Sequence, residues 1–490
     1  MASNPGTTTA PDRSSATAPG KLDPALIKLA AILMVGAIAG LLDTTIVNVG
    51  LDAIARDLHT AVATAQWVIT GYLLSFAMVI PLSGWAIARF GAKATWLTSL
   101  TVFLAGSIAC GAAWNVGSLV FFRVFQGLGG GMLLPVLTTL LIQAAGGRSL
   151  GRLMSTVSLP AVVVPVVGPV LGGLIVNDLS WRWLFYVNVP ICLAGLILAW
   201  RGLPASLAVP AQVKPRLDVV GLALLSPGLA AVLYGLAQVS SHRGFGQLAV
   251  IGPLAVGVAA LAVFAIRALR ARGPAEPVID LRLFRVRSFT AAASLMFVAG
   301  LSMYGALLLL PLYYQQVRGA SALTAGLLLV PQGIGTLLPR TIAGRLTDQI
   351  GPRPVILTGM ALAALGTVPF ALAGAHTNLV LLSAALVVRG AGLTAATIAV
   401  MATAFTGLAP KQVPSASSAT RILQQVGGSF GAAVLTVILE LQLTGPGPAT
   451  SLAAGFDRTF WWAIGFTVIG ALPALLLRRP APKKPAGSGK

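Results

Sequence analysis

The stretch AGLLDTTIVNVG, residues 39–50, places Asp43 among neighbours that, apart from Asn48, are apolar, small or hydroxylated. A carboxylate at the centre of a membrane-spanning helix costs about 2.5–3.5 kcal/mol on insertion scales. The chain has only 12 acidic residues, so an acid at this position needs a physical reason. Whether that reason involves a membrane depends on the rest of the chain.

The composition of the whole chain is that of a membrane protein. Of 490 residues, 56% are hydrophobic and 9% are charged, against about 25% charged residues in soluble domains. Long apolar runs recur along the chain, and several exceed the roughly 20 residues that cross a bilayer as a helix. A water-soluble core cannot contain so many of them, so we predict an all-α polytopic membrane protein.

The apolar runs predict fourteen membrane spans and an orientation. An even number of spans puts both termini on one side of the membrane. Most of the 33 Lys and Arg residues fall in the tails and connections on that side, which the positive-inside rule assigns to the cytoplasm. The formal net charge of +21 is therefore a topology signal, and we expect no nucleic-acid partner. The predicted spans are 27–50, 63–85, 94–113, 117–144, 154–176, 183–201, 217–239, 247–270, 289–312, 322–343, 354–374, 378–407, 413–440 and 459–478.

Two pairs of short segments recur at nearly the same distance along the chain. GWAIARFGAK at 84–93 and GRLTDQIGPR at 344–353 share glycines at positions 1 and 8 and a basic residue at position 10, with an offset of 260 residues. GPVLGG at 168–173 and GGSFGA at 427–432 are offset by 259 residues. The matching offsets indicate an internal duplication, as in many transporters.

The duplication predicts two six-helix bundles with two helices inserted between them. The predicted order is a disordered cytoplasmic tail at 1–26, the first bundle at 27–201, two inserted helices with linkers at 202–288, the second bundle at 289–478 and a cytoplasmic tail at 479–490. We predict disordered tails because both are polar, Pro-rich segments without an apolar face to bury.

Six segments resemble signatures of one transporter family, and they occur in the family's order. They are LDTTIVNVGL at 42–51, GWAIARFGAK, RVFQGLGGG from Arg123, GPVLGG, SWRWLFYVNVP at 180–190 and GRLTDQIGPR. Together they resemble the helix and loop signatures of the major facilitator superfamily, and within it the 14-span drug:proton antiporters of the multidrug efflux type. The resemblance extends over about residues 27–478.

This resemblance implies a fold and a function. The expected fold is the major facilitator fold, two six-helix bundles around a central cavity plus two additional helices. The expected function is proton-coupled export of amphiphilic, often cationic drugs by alternating access, with these compounds, protons and the lipid bilayer as partners. The expected location is the bacterial cell membrane, and the expected state is a monomer. The alternative on the same fold is a dedicated exporter of one endogenous metabolite or antibiotic, or of a lipid.

Enzymatic and metal-binding motifs are missing from the sequence. It contains no P-loop, so the chain has no motif for ATP-driven transport. No Cys/His cluster has metal-ligand spacing. We therefore expect no enzyme activity, no cofactor and no metal.

Asp43 has two interpretations. In the first, its carboxylate bonds locally to Thr44, Asn48 or the backbone and fixes helix packing. In the second, it exchanges a proton, because a carboxyl group in an apolar site can alternate between a neutral and a charged form. Such a group can hold either a proton or a cationic drug, so we predict Asp43 as the proton-coupling acid.

Arg123 and Gln126 share one face of the fourth span because they are three residues apart. One interpretation has Arg123 extend its guanidinium to the headgroups near the outer end of its span. The other makes it a fixed positive charge near Asp43 that tunes proton affinity, and we predict this coupling role. The sequence does not establish whether Asp43 and Arg123 form a direct bridge.

The repeated loop and glycine motifs predict conformational gating. In the family, an acid in the loop signature helps to hold the cytoplasmic side closed; the first copy has Ala88 at that position, and the second keeps Asp348. The glycines of GPVLGG allow close helix approach, and Pro169 bends its helix, which suits the interface between the halves; pure packing is the alternative. The predicted gating residues are Gly84, Arg89, Gly91, Lys93, Gly168, Pro169, Gly172, Gly173, Gly344, Asp348, Gly351 and Arg353.

Polar and aromatic residues within the spans are candidates for the substrate cavity, although such residues also pack helices. The candidates are Asn48, Tyr72, Gln126, Phe297, Tyr304 and Gln332. Arg389 and Arg421 lie in spans without a nearby acid in the sequence. We expect both arginines to lie towards the cytoplasmic or interfacial ends of their spans and to be structural.

Overall fold

A computed structural model describes residues 23–146, 150–157, 159–203, 216–241, 245–270, 278–320, 322–444 and 452–477. Within these ranges the chain is helical and contains no β-strand. The predicted tail at 479–490 lies outside the described residues, as does the first tail up to residue 22, and the first helix begins at Pro24. The first bundle contains α1 (Pro24–Val49), α2 (Leu51–Asp57), α3 (Val62–Ala65), α4 (Trp67–Phe90), α5 (Ala92–Gly111), α6 (Val116–Ala145), α7 (Leu150–Val157), α8 (Leu159–Asp178), α9 (Trp183–Tyr186) and α10 (Asn188–Gly202).

The rest of the chain supplies the inserted pair and the second bundle. The inserted pair consists of α11 (Val219–Ser241) and α12 (Leu248–Arg270). The second bundle contains α13 (Arg287–Leu312), α14 (Ala322–Leu328), α15 (Val330–Leu337), α16 (Arg340–Ile350), α17 (Pro352–Leu365), α18 (Leu379–Ala404), α19 (Val413–Thr444) and α20 (Leu452–Ile469). A π-helical turn at Tyr313–Val317 extends α13, and a 3₁₀ turn at Val368–Leu372 follows α17.

Twelve helices of the described chain are long and apolar enough to cross a membrane. Of the two remaining predicted spans, 154–176 falls on α7 and α8, described on either side of residue 158, and 322–343 falls on α14, α15 and the start of α16. The all-helical membrane fold is therefore confirmed, and the count of fourteen spans stays a prediction.

The two bundles repeat the same helix pairings. In the first bundle α8 packs along α1, and in the second bundle α19 packs along α13. The repeated glycine motifs make both approaches possible. A Cβ at Gly172 would lie 2.9 Å from the carbonyl oxygen of Ile46 on α1, and a Cβ at Gly431 would lie 2.7 Å from that of Leu301 on α13.

Two glycines of GPVLGG contact a helix of their own bundle. Gly168 and Gly172 face α1, which small residues allow α8 to approach closely, and α8 also contacts α15 of the second bundle; the gating role of these glycines stays a prediction. A Cβ at Gly173 would meet no atom within 4 Å. The side chain of Pro169 lies outside the described part of the chain.

Each loop signature places a glycine in the same unusual backbone conformation. Gly91 has φ 83° and ψ 156°, and Gly351 has φ 88° and ψ 165°. Other residues rarely adopt this region, because a Cβ would clash there. The shared glycine at position 8 therefore turns the chain sharply between two consecutive helices in each bundle.

The basic residue at position 10 of each signature caps the last helix of its own bundle. The Lys93 Nζ donates to the carbonyl oxygen of Leu203 at 2.7 Å, just after α10. Arg353 Nη1 donates to the carbonyl oxygen of Leu477 at 3.4 Å, at the end of the turn that follows α20. A cation at a helix C-terminus satisfies free carbonyls and the helix dipole, so the duplication extends to side-chain contacts.

The inserted helix α11 contacts both bundles, through α4 and through α19. The rings of Trp67 on α4 and Tyr234 on α11 stack with their centroids 5.9 Å apart. Arg267 of α12 lies 2.7 Å from the carboxylate of Asp218, which also accepts from the backbone at the start of α11. The inserted pair is thus a hairpin that spans the side of the two bundles.

Candidate functional site

Asp43 and Arg123 form a direct ion pair in the interior of the first bundle. Arg123 Nη1 lies 2.5 Å from Asp43 Oδ2, and the two side chains are 1% and 0% exposed. The bridge that the sequence left open is therefore present, and Arg123 does not extend to the headgroups in this conformation. A buried pair of this kind holds two charges that neither water nor lipid can stabilise.

Two amides complete the surroundings of the Asp43 carboxylate. Its Oδ1 accepts from Gln126 Nε2 at 3.0 Å and from Asn188 Nδ2 at 3.2 Å. Gln126 also donates to Ser107 Oγ at 2.7 Å and accepts from Arg123 Nη1 at 2.8 Å. Helices α1, α5, α6 and α10 thus meet in one hydrogen-bond network, defined here as the Asp43 network.

Asn188 was missed by the sequence reasoning, although it belongs to SWRWLFYVNVP. It is completely buried at the start of α10. The available signal was that a single amide stands in an otherwise apolar helix, where an unsatisfied polar group is costly. Such a residue calls for a partner, and Asp43 is that partner.

Aromatic rings and one carbonyl hold the rest of the Arg123 guanidinium. Arg123 Nε donates to the carbonyl oxygen of Val68 at 2.9 Å. The guanidinium carbon lies 4.0 Å from the centroid of the Tyr72 ring and 5.6 Å from that of Phe185. Cation–π contacts stabilise a desolvated cation, so Arg123 keeps favourable contacts even where Asp43 is neutral.

Two predicted cavity residues belong to the Asp43 network instead. Tyr72 and Gln126 are completely buried, so neither lines an open cavity in this conformation. The reason is physical: a buried guanidinium needs an aromatic face and polar acceptors, and these two side chains supply them.

The other cavity candidates are dispersed over both bundles. Asn48 is exposed near the end of α1 and donates to the carbonyl oxygen of Thr44 at 3.4 Å. Tyr304 is half-buried, and its hydroxyl group lies 3.4 Å from Gln425 Oε1. Phe297 is half-buried beside Phe430. Their role in substrate binding stays a prediction.

Gln332, the last cavity candidate, contacts Arg389 in the core of the second bundle. Arg389 is 5% exposed, and its Nη1 donates to Gln332 Oε1 at 3.1 Å. The expectation that Arg389 lies towards a membrane end is therefore wrong, because three helices surround it with hydrogen-bond acceptors. Arg421 is half-buried and donates to Gln424 on its own helix at 2.7 Å.

The two bundles are joined at the end where the loop signatures lie. Arg152 on α7 forms an ion pair with Asp348 on α16 at 3.6 Å. Arg340, also on α16, donates to the carbonyl oxygen of Ser155 on α7. The acid of the second loop signature thus contacts the opposite half of the molecule.

A second set of contacts continues this closure towards the centre. Ser83 and Ser418 share a hydrogen bond of 2.9 Å, and Thr139 donates to Ser417 at 3.3 Å. A Cβ at Gly84 would lie 3.6 Å from the backbone of Pro414 on α19. Of the other predicted gating residues, Arg89 is half-buried and Gly344 is buried. The molecule is therefore closed at this end.

At the opposite end, one exposed carboxylate connects two short helices. Asp57 of α2 accepts from Trp181 Nε1 at 2.8 Å and from Arg182 Nη1 at 3.0 Å. The hydrogen bond from Trp181, followed by that from Arg182, holds the pKa of Asp57 below its ordinary value. Among the described residues, no group of three or more His, Cys, Asp and Glu could hold a metal ion.

Comparison with known proteins agrees with this architecture. The sequence profile of the Major Facilitator Superfamily matches residues 33–432 and 292–490. A Mycobacterium tuberculosis protein named multidrug resistance protein B homolog is 37% identical over 426 residues, which are 86% of this chain and 78% of the relative. The lincomycin resistance protein LmrB of Listeria innocua is 28% identical and covers 95% of this chain and 99% of its own length.

Solved structures show the same fold. The human organic anion transporter MFSD10 superposes with a TM-score of 0.61 at 15% identity, covering 92% of this chain and all of its own. The proton:xylose symporter XylE superposes with a TM-score of 0.61 at 13% identity and 91% coverage of this chain. With the profile match over both bundles, these likenesses establish that the chain belongs to the major facilitator superfamily of membrane transporters.

Proposed function

We propose that this transporter exports amphiphilic, often cationic drugs or toxic compounds across the bacterial cell membrane in exchange for protons. The observation that carries the proposal is the Asp43–Arg123 ion pair, whose side chains are almost completely buried. The relatives named for multidrug and lincomycin resistance support efflux. Like them, the chain is a multi-pass membrane transporter of small molecules and not an enzyme.

Proton binding at Asp43 would change the energy of the whole network. A neutral carboxyl no longer neutralises Arg123, which then depends on the Val68 carbonyl, Gln126 and the Tyr72 ring. Leaving one member of a buried ion pair without its partner costs several kcal/mol. Protonation therefore favours a rearrangement of α1 against α6, and this rearrangement is the proposed link between proton and substrate movement.

This geometry favours indirect coupling over direct competition for one carboxylate. Both oxygens of Asp43 accept from protein donors, and the side chain has no exposed surface. A drug cannot touch it without breaking the network. We infer that substrate binds elsewhere in the central cavity and senses the protonation of Asp43 through movement of α1.

The closed end of the molecule gives the conformation a place in the transport cycle. With both termini in the cytoplasm, the contacts of α7 with α16 and of Ser83 with Ser418 lie on the cytoplasmic side. We infer that this conformation precedes opening of the outer side, and that such opening gives protons access to Asp43, as an exporter driven by proton entry requires. We further propose that the protein works as a monomer.

Transport by purified protein in proteoliposomes tests this proposal. A panel of cationic, neutral and anionic amphiphiles is tested for transport driven by an imposed pH gradient. Several of the cationic compounds should be transported. Transport of one compound alone would support the dedicated exporter instead. Asp43→Asn should abolish the response to the gradient, because the amide keeps the shape of the carboxyl but cannot titrate. The matched control is Asp57→Asn, which should keep it; full gradient-driven export by Asp43→Asn would contradict the proposal.

A further inference from the structure

The second bundle contains a site built on the same plan as the Asp43 network. Arg389 of α18 lies in the helix that corresponds to α6, the helix of Arg123. Its three nitrogens donate to neutral acceptors: Nη2 to the carbonyl oxygen of Ser302 at 3.0 Å, Nη1 to Gln332 Oε1 at 3.1 Å and Nε to Thr367 Oγ1 at 3.1 Å. These acceptors come from α13, α15 and the end of α17.

Offsets along the chain relate the acceptors to residues of the Asp43 network. Gln332 follows Tyr72 by 260 residues and Thr367 follows Ser107 by 260 residues, which is the offset of the loop signatures. Ser302 follows Asp43 by 259 residues, which is the offset of the glycine motifs. A serine therefore lies close to the register of the acid, although Arg389 follows Arg123 by 266 residues and occupies a different position in its helix.

This replacement leaves a cation without a counter-ion in the interior. No Asp or Glu of the described chain forms an ion pair with Arg389. Neutral acceptors satisfy hydrogen bonds but do not neutralise a buried charge, whose desolvation is far more costly than that of a polar group. The guanidinium also carries five N–H donors, which exceeds the three acceptors named above.

A small cavity lies beside the guanidinium. Ser302, Thr367 and Arg389 form its polar wall, and apolar side chains of α13, α19 and α20 form the rest. The cavity has a volume of about 10 Å³, which is room for roughly one water-sized particle. An organic carboxylate or a drug does not fit this volume, and a single small ion does.

We propose that this cavity binds one small monovalent inorganic anion of chloride size, which neutralises Arg389 in place of the missing carboxylate. The anion accepts the N–H groups of Arg389 that point into the cavity and the hydroxyl group of Ser302, since Thr367 donates its proton to the carbonyl oxygen of Ala363. The ion is structural: it fixes α13, α17 and α18 around one charge. The proposal does not depend on proton coupling at Asp43.

Thermal unfolding in the presence and absence of chloride tests the proposal. Purified protein in lipid nanodiscs is dialysed into sodium gluconate, and chloride is added at constant ionic strength and pH. Because a ligand of the folded state stabilises it, the melting temperature should rise saturably, by about 2 °C. A parent protein that melts identically in chloride and gluconate would overturn the proposal and leave a water molecule as the occupant.

Three variants locate the effect. Arg389→Gln should lose the chloride response, whereas Arg421→Gln, which removes another arginine of the second bundle, should keep it. Ser302→Asp should melt in gluconate at least as high as the parent in chloride and should not respond to chloride, because it carries its own counter-ion. If Arg389→Gln fails to fold, Ser302→Asp decides alone: a chloride response that persists in it counts against the site.

Bromide gives a direct readout of position. Crystals of the parent grown with bromide should show an anomalous peak at the Arg389 guanidinium, and crystals of Ser302→Asp should lack it. A peak at Arg421 or at the protein surface alone would assign the chloride effect to another site.

Discussion

Each bundle buries an arginine in corresponding helices, α6 and α18, yet only the first supplies an acid. Arg123 faces Asp43, whereas Arg389 faces the backbone of Ser302. Both sites have an aromatic or amide group from the second span of the bundle, Tyr72 or Gln332. Both also have a hydroxyl group from the third span, Ser107 or Thr367. The difference in charge comes from one side chain, the carboxylate of Asp43. It converts a site with a constant charge into one whose charge changes when a proton binds.

The duplication thus separates scaffold from function. Both bundles keep the glycine approach, the turn glycines and the basic helix caps. These features hold helices in place and serve each half equally. Proton exchange needs a titratable group in one half only, and a second one would change the number of protons per cycle.

The largest expected effect comes from breaking the buried pair. Arg123→Ala leaves the Asp43 carboxylate charged and buried, which costs about 3–5 kcal/mol of stability when one partner is removed. We expect a much lower melting temperature and very slow transport with an altered pH profile. Adding Asp43→Asn should restore most of the stability but not the coupling to the pH gradient.

The matched control for this prediction is Arg389→Ala in the second bundle. It removes a cation without leaving a buried carboxylate, so it should cost less stability than Arg123→Ala, and Asp43→Asn should not rescue it. Unfolding curves of the five proteins in the same lipid check this. Equal losses for both single arginine variants, with no rescue, would mean that the charge of Asp43 is not compensated by Arg123.

A smaller effect is expected from Asn188, the second amide that donates to Asp43. Its amide stabilises the charged form of Asp43 through a 3.2 Å hydrogen bond. A hydrogen bond to a charged group contributes about 1.5–3 kcal/mol. Asn188→Leu should therefore move the pH profile of gradient-driven transport to more alkaline values, because the charged form is less favoured.

Transport rates measured between pH 5 and pH 9 check the direction of this shift. Asn177→Leu, which changes an exposed amide near the end of α8, is the control and should leave the profile in place. A profile shifted to more acidic pH in Asn188→Leu would contradict the donor role of the amide.

The sequence was sufficient to predict the fold but not to predict which face of each helix points inward. Apolar runs and basic connections predicted the spans, and the two offsets predicted the duplication, because both signals are local in the chain. The positions of Tyr72, Gln126 and Arg389 were misjudged. Spans that are apolar all round have no polar face from which an inward direction could be read.

Partner choice was the second limit of the sequence. Arg389 has no acid near it in the chain, and this suggested a place near a membrane end. Its acceptors are a carbonyl group, an amide and a hydroxyl group from three other helices, and no local pattern encodes that meeting. The offset that relates Ser302 to Asp43 was present in the sequence, and only the observed contact gave it meaning.

The loop signatures offer a further comparison, with a smaller expected effect. Asp348 of the second copy pairs with Arg152 across the bundles, and Ala88 replaces the acid in the first copy. A partly exposed ion pair contributes up to about 1 kcal/mol, or a several-fold change in population. Asp348→Asn should therefore open the side of the loop signatures in more molecules. Ala88→Asp should close it in more, provided that a basic residue of the second bundle faces it.

Distances between spin labels on α7 and α16 measure both populations. The parent protein supplies the reference distribution, and Asp280→Asn, in a connection before α13, is the control with the same change of charge. An unchanged distribution in Asp348→Asn would show that the hydrogen bonds between Ser83 and Ser418 and between Thr139 and Ser417 suffice for closure.

The smallest effect is expected from Asp57, whose ion pair with Arg182 is exposed where that of Asp43 is buried. Hydrogen bonds from Trp181 and Arg182 lower the pKa of Asp57 in the folded protein. A carboxyl group with a lowered pKa stabilises the fold at pH values above its ordinary pKa, near 3.9, and this contribution is lost as the pH falls through the lowered value. The parent should therefore lose slightly more stability than Asp57→Asn between pH 5 and pH 3. Solvent weakens exposed pairs, so the difference in melting temperature should be small and should shrink further in high salt. A large, salt-independent difference would show that the Asp57 pair stabilises the protein as strongly as a buried pair. The contrast between a buried pair that can drive a conformational change and an exposed pair that only links two segments would then not hold.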